Sequence, residues 1–445
     1  MNITIIGTGY VGLITGLCFS AIGNNVICLD IDHKIVNQLN KGISTFYEEG
    51  LDNLLKEQLR KKSFIASVDF YKSIIDADIV FIAVGTPSTE QGEIDLSFIE
   101  KVGIDIGKVI KNSNKFLSIV IKSTVLPTTT DTFLRKIIEK YSQKKLGEFG
   151  LGMNPEFLRE GSAIKDFMNP DRIVLGYEDE KTKKILIEIY KFWDCEKILV
   201  NTRTAELIKY TNNSFLALLI SATNEIANLS SSIGNIDFRE VMKGVKLDKR
   251  WNPNIEKIRS NPGILEYMNP GYGFGGSCFP KDVKALVKMG SYKGKKMKIM
   301  NSVLEVNDSQ TEQIINDLEN YINVNNKKIL LLGLAFKPGT DDIRESSALN
   351  SVNILLKKNA FIYAHDPVAI KNFSKEIGYK ERLTYIDNWD ERSTGVDIII
   401  LLTGWQEYFK IYSLDLSHQI ILDSRGTLDK KNLKCKNYIS FGIQK

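Results

Sequence analysis

"NITIIGTGYVG", residues 2–12, decides the fold of this chain. A short run rich in β-branched residues ends in three glycines with the spacing GxGxxG, and a helical pattern follows to about Ile22. This pattern predicts a dinucleotide-binding turn: the first glycine permits a tight bend, the second lets a pyrophosphate approach the backbone, and the third lets the helix pack on the strand. The alternative is a glycine turn with a structural role alone. The predicted cofactor contacts of this turn are Gly7, Gly9, Tyr10, Val11 and Gly12.

A second strand, "NVICLDID" (25–32), ends in acidic residues and indicates which dinucleotide binds. Asp30 follows Gly12 by 18 residues, where a carboxylate accepts hydrogen bonds from ribose hydroxyls. Because a carboxylate repels a 2′-phosphate, the sequence favours NAD over NADP. Lys34 lies close by, weakens that preference and is a further predicted cofactor contact.

The same plan recurs later in the chain. "KKILLLGLAFKPGTDD" (327–342) is again a strand, a glycine and a loop, and a helical stretch and a strand at 360–367 follow. Apolar runs without strict alternation indicate strands buried on both faces, as in parallel sheets. We therefore predict an α/β fold with two doubly wound, parallel-sheet (Rossmann-like) domains at roughly 1–200 and 320–445. Further strands are expected at 78–84, 117–123, 397–403 and 419–424.

The stretch between the two domains has helical periodicity and no proline from Arg203 to Gly234. A continuous helix there would span about 45 Å, too long for one small domain to cover. We expect it to link the domains and to offer a surface for a homodimer. The alternative is two shorter helices with a break near Asn212–Ser214.

Composition excludes several classes of protein. The net charge of +5 on 445 residues comes from dispersed side chains, which argues against a nucleic-acid-binding stripe. Five widely spaced cysteines without a CxxC pair, and three histidines without a ligand motif, favour a reducing compartment and no metal. We expect no signal peptide and no membrane span, because the N-terminus lacks a basic region and no apolar run approaches about 18 residues. The expected location is the cytoplasm.

"GFGGSCFPKD" (273–282) sets Cys278 in an uncrowded, polar context that suggests chemistry rather than packing. Pro280 suits the first turn of a helix, so Cys278 is expected just before a helix N-terminus with Lys281 close by. Both neighbours favour the thiolate over the thiol. We expect the three glycines to keep side chains out of the approach to the sulfur. The alternative is a structural cysteine.

A cysteine nucleophile beside a nicotinamide site has a specific use. Oxidation of an alcohol gives an aldehyde, the thiolate adds to it, and a second oxidation gives a thioester that water hydrolyses to an acid. This is a four-electron oxidation that uses two NAD. The alternatives are a two-electron alcohol dehydrogenase, which would form one NADH per substrate, and a regulatory protein that binds NAD without turnover.

Two further pairs of residues fit this chemistry. "AELIKYTNNSF" (205–215) sets Lys209 and Asn213 one helical turn apart, where they could stabilise an alkoxide. "NPEFLREG" (154–161) gives Glu156 and Glu160 the same spacing if helical, and one of them could act as a base. Taken alone, either pair could be a solvated helix face. The loops after two strands, "VGTPS" with Thr86 and "STVLP" with Thr124, are expected at the edge of the site.

These motifs resemble the nucleotide-sugar 6-dehydrogenase family nearly end to end, and "GFGGSCFPKD" and "GLAFKPGTDDIRES" carry much of the resemblance. It implies an NAD-binding domain at 1–200, a central helical dimerisation region at 201–320 that carries the catalytic cysteine, and a nucleotide-sugar domain at 321–445. The implied activity is the oxidation of a nucleotide-diphospho-hexose at C6, with UDP-glucose to UDP-glucuronate favoured. A GDP-mannose 6-dehydrogenase is the first alternative, because "STVLP" and "YMNPG" also resemble that branch, and a UDP-N-acetylhexosamine 6-dehydrogenase is the second.

The resemblance also implies residue roles. Cys278 is the nucleophile, supported by Asp282. Oxyanions are stabilised by Lys209 and Asn213. The implied residues for water and base roles are Glu156, Glu160 and Thr124; those for NAD include Asp30, Thr124, Glu160, Lys281 and Arg344; and those for the nucleotide sugar are Glu156, Phe157, Leu158, Arg159, Glu160, Lys209, Asn213, Arg250, Tyr267, Met268, Asn269, Pro270, Gly271, Gly275 and Lys337.

The sequence departs from the family pattern at several positions. Ile35 occupies the place of a usual basic residue, Glu49 that of a proline, and Thr128 that of a glycine. About a dozen extra residues separate Arg250 from Tyr267.

Overall fold

The computed structural model describes residues 1–89 and 92–441, and the chain forms two compact units, Met1–Asn212 and Asn213–Lys445. The strands of the first unit are β1 Asn2–Ile6, β2 Asn25–Leu29, β3 Phe64–Ser67, β4 Ile79–Ile82, β5 Ser118–Ile121, β6 Gly150–Met153, β7 Arg172–Tyr177 and β8 Glu196–Val200. Its helices are α1 Tyr10–Ala21, α2 His33–Asn40, α3 Leu51–Lys61, α4 Phe70–Ile75, α5 Ser97–Ile110, α6 Arg135–Ser142, α7 Ala163–Met168 and α8 Glu180–Ile189, with a π-helical turn at Thr129–Leu134.

The eight strands of the first unit form one sheet in the order β3-β2-β1-β4-β5-β6-β7-β8. Strands β4, β5 and β6 are buried at every position, as the continuous apolar runs predict, because helices cover both faces and create two cores. The prediction of a wholly parallel sheet is wrong at one junction, since β7 runs antiparallel to β6. The long connection between these strands carries a short helix, α7, and returns the chain beside β6 in the opposite direction.

A single helix, α9 (Thr202–Ile233), follows the first sheet. Its 32 residues correspond to about 48 Å. The alternative of two helices broken near residues 212–214 is therefore wrong, and the absence of proline and of interior glycine explains why the helix continues.

The second unit repeats the doubly wound plan. Its six-stranded sheet has the order β13-β12-β11-β14-β15-β16, and all its neighbouring strands are parallel. This is the 3-2-1-4-5-6 order of dinucleotide-binding folds, which the first six strands of the first unit also follow. The strands are β11 Lys328–Leu332, β12 Phe361–His365, β13 Leu383–Tyr385, β14 Ile398–Leu401, β15 Asp415–Leu422 and β16 Lys434–Ile439.

The helices of the second unit complete its layers. They are α10 Phe238–Lys246, α11 Phe279–Tyr292, α12 Lys298–Glu319, α13 Ser347–Lys357, α14 Ile370–Ile377 and α15 Trp389–Ser393, with 3-10 turns at Gly263–Met268, Gln406–Ser413 and Lys430–Asn432. The extra residues after Arg250 form a small antiparallel hairpin, β9 Asn254–Ile255 and β10 Ile258–Arg259. Across the residues that the structure describes, we find no helix that combines the length and the hydropathy needed to cross a membrane.

Candidate functional site

The glycine turn of the first unit is shaped to hold a pyrophosphate. Gly7 has φ +99°, and a Cβ there would lie 2.6 Å from the carbonyl oxygen of Ala83. A Cβ on Gly12 would lie 1.9 Å from the Gly7 oxygen, so this glycine lets α1 pack on the turn. Gly9, the N-cap of α1, has no atom within 4 Å of an added Cβ. The open side of the turn is therefore at Gly9, where helix N–H groups and the helix dipole attract an anion.

Asp30, at the end of β2, fixes the same turn. Its Oδ2 accepts hydrogen bonds from the backbone N–H of Thr8 (3.1 Å) and from the Thr8 hydroxyl, and its Oδ1 accepts from the Asp32 N–H. Lys34 is exposed, and its backbone N–H donates to Asp32, the N-cap of α2. An open pyrophosphate turn with a carboxylate at the end of β2 fits an adenine dinucleotide, and these residues would hold it.

Tyr10 ties the glycine turn to the loop after β6. Its hydroxyl donates to Glu48 Oε2 (2.8 Å), and the buried Glu48 carboxylate also accepts from the backbone N–H groups of Gly161 and Ala163, each at 2.7 Å. Burial and the Glu48 charge raise the pKa of Tyr10, so the phenol stays protonated and remains a donor. Glu48 was not predicted. In the sequence, Glu48 is one acidic residue in a loop to which no role was assigned, and such a pattern is too common to identify a buried residue.

The loops after β4 and β5 lie side by side. The Thr86 hydroxyl donates to the Thr124 carbonyl (3.0 Å), and the Ser123 hydroxyl donates to the Val84 carbonyl (2.6 Å). These bonds join neighbouring parallel strands at their carboxyl ends, where open α/β sheets bind ligands. Thr86 is buried and Thr124 is half-buried.

Thr128 adopts φ +83°, the left-handed region, which favours glycine. The buried Glu206 of α9 holds this strained backbone, because its carboxylate accepts from the Thr128 N–H (2.9 Å) and from the Thr130 N–H and hydroxyl. Burial raises the pKa of Glu206 to about 7.

Glu156 and Lys209 form a buried ion pair. Lys209 Nζ lies 3.0 Å from Glu156 Oε1, and the two side chains are 4% and 6% exposed. Burial alone would raise the pKa of Glu156, but the charge of Lys209, the bond it donates and the Leu158 N–H outweigh burial and lower it. Lys209 also lies 5.3 Å from the centre of the Phe157 ring, on whose face Arg172 packs. The Glu156 carboxylate and the Lys209 side chain thus form an ion pair inside the first unit.

The helical spacing considered for Glu156 and Glu160 is wrong, because residues 154–159 form an irregular loop. Pro155 disfavours a helical conformation at Asn154, and Glu156 accepts a hydrogen bond from Leu158 two residues on, which turns the chain. Glu160 lies half-buried in the following turn, and Arg159 is exposed and pairs with Asp166 (2.8 Å).

Two buried residues beside this pair were missed. Lys122 Nζ donates to Asn154 Oδ1 (2.8 Å), and the side chains of both are nearly inaccessible. The sequence did hold a signal for Lys122: a lysine that directly follows "SIVI", a strand with three apolar residues out of four, at the carboxyl end of a parallel sheet. Asn154 offered none.

Cys278 is the N-cap of α11 in the second unit, as predicted, and Pro280 occupies the first turn. Its side chain is half-buried, with the Ser277 hydroxyl 3.5 Å from the sulfur. The helix N-terminus favours an anion at this position.

The glycines before Cys278 have a different role from the one predicted. An added Cβ on Gly273 would lie 2.3 Å from Asn307 Oδ1, one on Gly275 2.2 Å from the Glu345 carbonyl, and one on Gly276 2.8 Å from the Phe336 ring. They let this loop pack against neighbouring elements instead of clearing an approach to the sulfur. The Gly276 N–H donates to the Arg344 carbonyl (2.8 Å) and fastens the loop.

Asp282 links Cys278's helix to α9. Its side chain is inaccessible, Oδ2 accepts from Asn213 Nδ2 (2.7 Å), and Oδ1 accepts from Lys281 Nζ (2.6 Å). Its backbone N–H donates to the Cys278 carbonyl (2.9 Å). The second unit therefore gathers a thiol, a carboxamide, an ammonium and a buried carboxylate.

The residues implied for the nucleotide sugar lie in several environments of the second unit. Gly271 is held by Asn224, which accepts from its N–H (2.8 Å), and by Gln310, which donates to its carbonyl (3.1 Å). Lys337 lies over the Phe336 ring. Tyr267 is half-buried near Phe279, Met268 and Pro270 are buried, and Asn269 is exposed and accepts from Lys246.

Two implied arginines lie at the surface. Arg250 is 88% exposed and pairs with Asp248, and Arg344 is 62% exposed and pairs with Asp342. Within the part of the chain that the structure describes, no three histidine, cysteine or acidic residues are grouped to hold a metal ion.

Comparisons with known proteins show which family the chain belongs to. The models of the UDP-glucose/GDP-mannose dehydrogenase family match in order: the NAD binding domain at residues 1–194, the central domain at 203–309 and the UDP binding domain at 330–430. A protein of Rickettsia felis named UDP-glucose 6-dehydrogenase is 38% identical over 98% of this chain and 94% of its own.

Two solved structures are similar to this chain in sequence and in fold. A UDP-glucose dehydrogenase from Pyrobaculum islandicum is 34% identical with a TM-score of 0.90, and covers 99% of this chain and 98% of its own. A GDP-mannose dehydrogenase from Pseudomonas aeruginosa is 33% identical with a TM-score of 0.55, over 96% and 97%. With the open turn at Gly9 and the carboxylate of Asp30, the chain is an NAD-dependent oxidoreductase and belongs to the UDP-glucose/GDP-mannose dehydrogenase family.

Proposed function

We propose that this protein oxidises UDP-glucose to UDP-glucuronate with two NAD. The observation that carries the proposal is the position of Cys278 at the N-terminus of α11, one turn before the buried carboxylate of Asp282. A thiol at the N-terminus of a helix, with Lys281 close by, is suited to add to a carbonyl carbon. The name of the Rickettsia felis relative supports UDP-glucose as the substrate.

The reaction balances without a metal or another oxidant. One UDP-glucose, two NAD⁺ and one water give one UDP-glucuronate, two NADH and three protons. Bound NAD supplies the two-electron hydride acceptor for each oxidation. The thiolate of Cys278 forms a C–S bond to the C6 aldehyde, the resulting thiohemiacetal is oxidised to a thioester, and water breaks the C–S bond to release the thiolate and the acid.

The other site residues have roles that follow from their charge. The Lys209 ammonium and the Asn213 carboxamide stabilise oxygen anions at C6, and Asp282 holds Asn213 by the hydrogen bond at its Oδ2. Glu156 pairs with Lys209 and is the candidate base for water, with Glu160 and Thr124 as further candidates. The turn at Gly7–Gly12, with Asp30, holds NAD, and Thr86, Lys281 and Arg344 are further candidate contacts.

The nucleotide sugar is assigned to the second unit, whose sequence matches the family's UDP binding domain. The stretch from Tyr267 to Gly271 is a candidate backbone contact for the nucleotide sugar, because hydrogen bonds from Gln310 and to Asn224 fix its last residue. Lys337 offers a positive charge to a diphosphate.

A substrate panel tests the proposal. Purified protein with NAD is offered UDP-glucose, GDP-mannose and UDP-N-acetylhexosamines, NADH is counted by absorbance, and the product is identified by mass spectrometry. We expect two NADH per UDP-glucose and a uronic acid product. One NADH per sugar would instead indicate a simple alcohol dehydrogenase. Preference for GDP-mannose would indicate a GDP-mannose 6-dehydrogenase. No turnover on any of these sugars would indicate a regulatory protein.

We also propose a homodimer formed through α9. Phe215, Ala222, Ile226, Leu229 and Ile233 are exposed, and their spacing puts them within one narrow stripe of the helix. A second copy of the same helix is a fitting cover for such a stripe. Sedimentation should give a dimer for the wild type and a monomer for Ile226→Glu/Leu229→Lys, and a monomeric wild type would exclude the dimer. Because the cofactor is NAD and the five cysteines form no disulfide with one another, we propose that the protein lies in the cytoplasm.

A further inference from the structure

Lys122 is a buried ammonium group for which the proposed reaction has no use. It directly follows β5, is 3% exposed, and its backbone N–H donates to the Ile82 carbonyl (2.8 Å). Its Nζ donates to Asn154 Oδ1 at 2.8 Å and more weakly to the Asn154 carbonyl at 3.4 Å. No carboxylate of residues 1–89 and 92–441 lies within ion-pair distance of it. A buried cation whose contacts are the oxygens of Asn154 and, at 5.9 Å from its centre, the Phe167 ring is unfavourable for folding, so its presence calls for another reason.

Asn154, which Lys122 holds, controls where Glu156 lies. The Asn154 N–H donates to the Ile121 carbonyl (2.8 Å), its Nδ2 donates to the Val174 carbonyl (2.9 Å), and its Oδ1 also accepts from the Tyr190 hydroxyl. Only Pro155 separates this fastened residue from Glu156. A shift of Asn154 would therefore move the carboxylate that pairs with Lys209.

We propose that Lys122 is a positioning residue that sets the orientation and the charge state of the Glu156–Lys209 pair by holding both oxygens of Asn154. The proposal rests on the proposed function, which assigns that pair to the reaction. Lys122 acts in two ways: its hydrogen bonds fix the turn at residues 154–156, and its charge attracts the carboxylate of Glu156 and repels the ammonium of Lys209.

The titration of Lys122 agrees with this geometry. Burial lowers the pKa of Lys122 to about 7, the charge of Glu156 opposes the shift, and the charge of Lys209 adds to it. The groups that face it are these two residues, Asn154 and, through Asn154, the Tyr190 hydroxyl. Since the folded pKa lies below the unfolded one of about 10.4, unfolded chains bind more protons between these values. The lysine therefore destabilises the fold fully below pH 7, and this effect disappears as the pH rises towards 10.

The sign of the effect of Lys122 on stability distinguishes a positioning role for this residue from a merely structural role. Removing a side chain that supports the fold lowers the melting temperature. Replacing Lys122 by methionine, which fills similar space without a charge, should instead leave the melting temperature at pH 6 unchanged or raised, while activity falls.

The test uses the full chain with Lys122→Met, Lys122→Gln and the control Lys197→Met. Lys197 also donates from its Nζ to backbone carbonyls, those of Trp193 (2.7 Å) and Cys195 (3.5 Å). We expect Lys122→Met to lower kcat at least about tenfold with KM values within about threefold, and to move the acid limb of kcat/KM to higher pH, because Glu156 loses a neighbouring positive charge. Lys122→Gln, which still donates to Asn154, should recover part of the loss, and Lys197→Met should behave as the wild type.

A crystal structure of Lys122→Met provides a readout that does not depend on activity. We expect the Glu156 carboxylate to lie displaced by about 1 Å from its position in the wild type, a shift large enough to impair a reaction, while its ion pair with Lys209 persists. An unchanged position of the Glu156 carboxylate, or normal kcat and a normal pH profile in Lys122→Met when the wild type is active, would overturn the proposal. If the wild type oxidises no nucleotide sugar, the proposed function fails, and the crystal structure still decides the role of Lys122.

Discussion

Asn213 of α9 and Asp282 of α11, 69 residues apart in sequence, meet in a buried hydrogen bond of 2.7 Å between Nδ2 and Oδ2. The other oxygen of Asp282 accepts from Lys281, and its backbone N–H closes the first turn of α11 on Cys278. One carboxylate thus fixes the helix end that presents the thiol and the carboxamide assigned to the oxyanion.

The first prediction concerns this carboxylate. Asp282→Asn should reduce the free energy of unfolding by about 2 kcal/mol, because hydrogen bonds to a buried charged group are worth roughly 1.5–3 kcal/mol each and an amide cannot replace both. We expect kcat to fall at least about tenfold, since Asn213 and the end of α11 lose a common anchor. Urea unfolding and steady-state NADH formation measure the two effects.

Asp105→Asn is the matched control for that experiment. Asp105 pairs with Lys108 on the surface, so its loss should leave the unfolding midpoint and kcat unchanged. If Asp282→Asn were as stable and active as this control, Asp282 would not be the anchor.

The second prediction concerns the pyrophosphate turn. Gly9→Ala should fold normally, because an added Cβ meets no atom within 4 Å and the residue has φ −67°, which alanine adopts easily. NAD binding should weaken at least about tenfold, since the methyl group occupies the space that the pyrophosphate needs. Calorimetric titration with NAD and a melting curve measure binding and folding separately.

Gly12→Ala serves as the opposite case in the same turn. Its Cβ would lie 1.9 Å from the Gly7 oxygen, so this variant should lose stability as well as binding. Unchanged NAD affinity in Gly9→Ala would show that the ligand does not approach the turn at Gly9.

The sequence predicted those parts of the molecule that depend on local pattern. The glycine turn, both sheets, the unbroken α9 and the placement of Cys278 before α11 follow from periodicity, proline and glycine, which act within a few residues. The antiparallel β7 was not predictable, because strand direction depends on how a long connection returns.

The buried polar contacts could not be predicted for a related reason. Lys122, Asn154 and Glu48 find their partners 20 to 115 residues away, and nothing in their neighbourhood in sequence marks those partners. The glycines at 273, 275 and 276 show the same limit, because what each would meet belongs to a distant segment.

The third prediction concerns the pH dependence of stability. The folded pKa of Glu156 lies below its usual value, so the carboxylate contributes stability above the unfolded pKa of about 4.3 that is lost as the pH falls through the folded pKa. Glu156→Gln removes the carboxylate that lies 3.0 Å from the buried Lys209 ammonium and should reduce the free energy of unfolding by about 3–5 kcal/mol at pH 7. The difference from the wild type should shrink below about pH 4.

Urea unfolding of both proteins at pH 7 and pH 3.5 measures this difference. Glu57→Gln is the control, because Glu57 forms an exposed pair with Lys61 and should leave the midpoint at pH 7 unchanged. A difference between Glu156→Gln and the wild type that stays constant with pH would contradict the buried ion pair.

The last prediction concerns the sulfur. Cys278→Ser should bind NAD and UDP-glucose with dissociation constants within about threefold of the wild type, because the substitution changes one atom. It should lower kcat by about a thousandfold or more, since a hydroxyl is a far weaker nucleophile than a thiolate and cannot carry the thioester. Calorimetry measures the dissociation constants, and stopped-flow absorbance measures kcat. When the wild-type reaction is quenched with acid, mass spectrometry should show a uronyl adduct on the peptide that contains Cys278. Cys435→Ser, at the half-buried thiol of β16, should turn over normally. Near-normal turnover of Cys278→Ser would remove the covalent step.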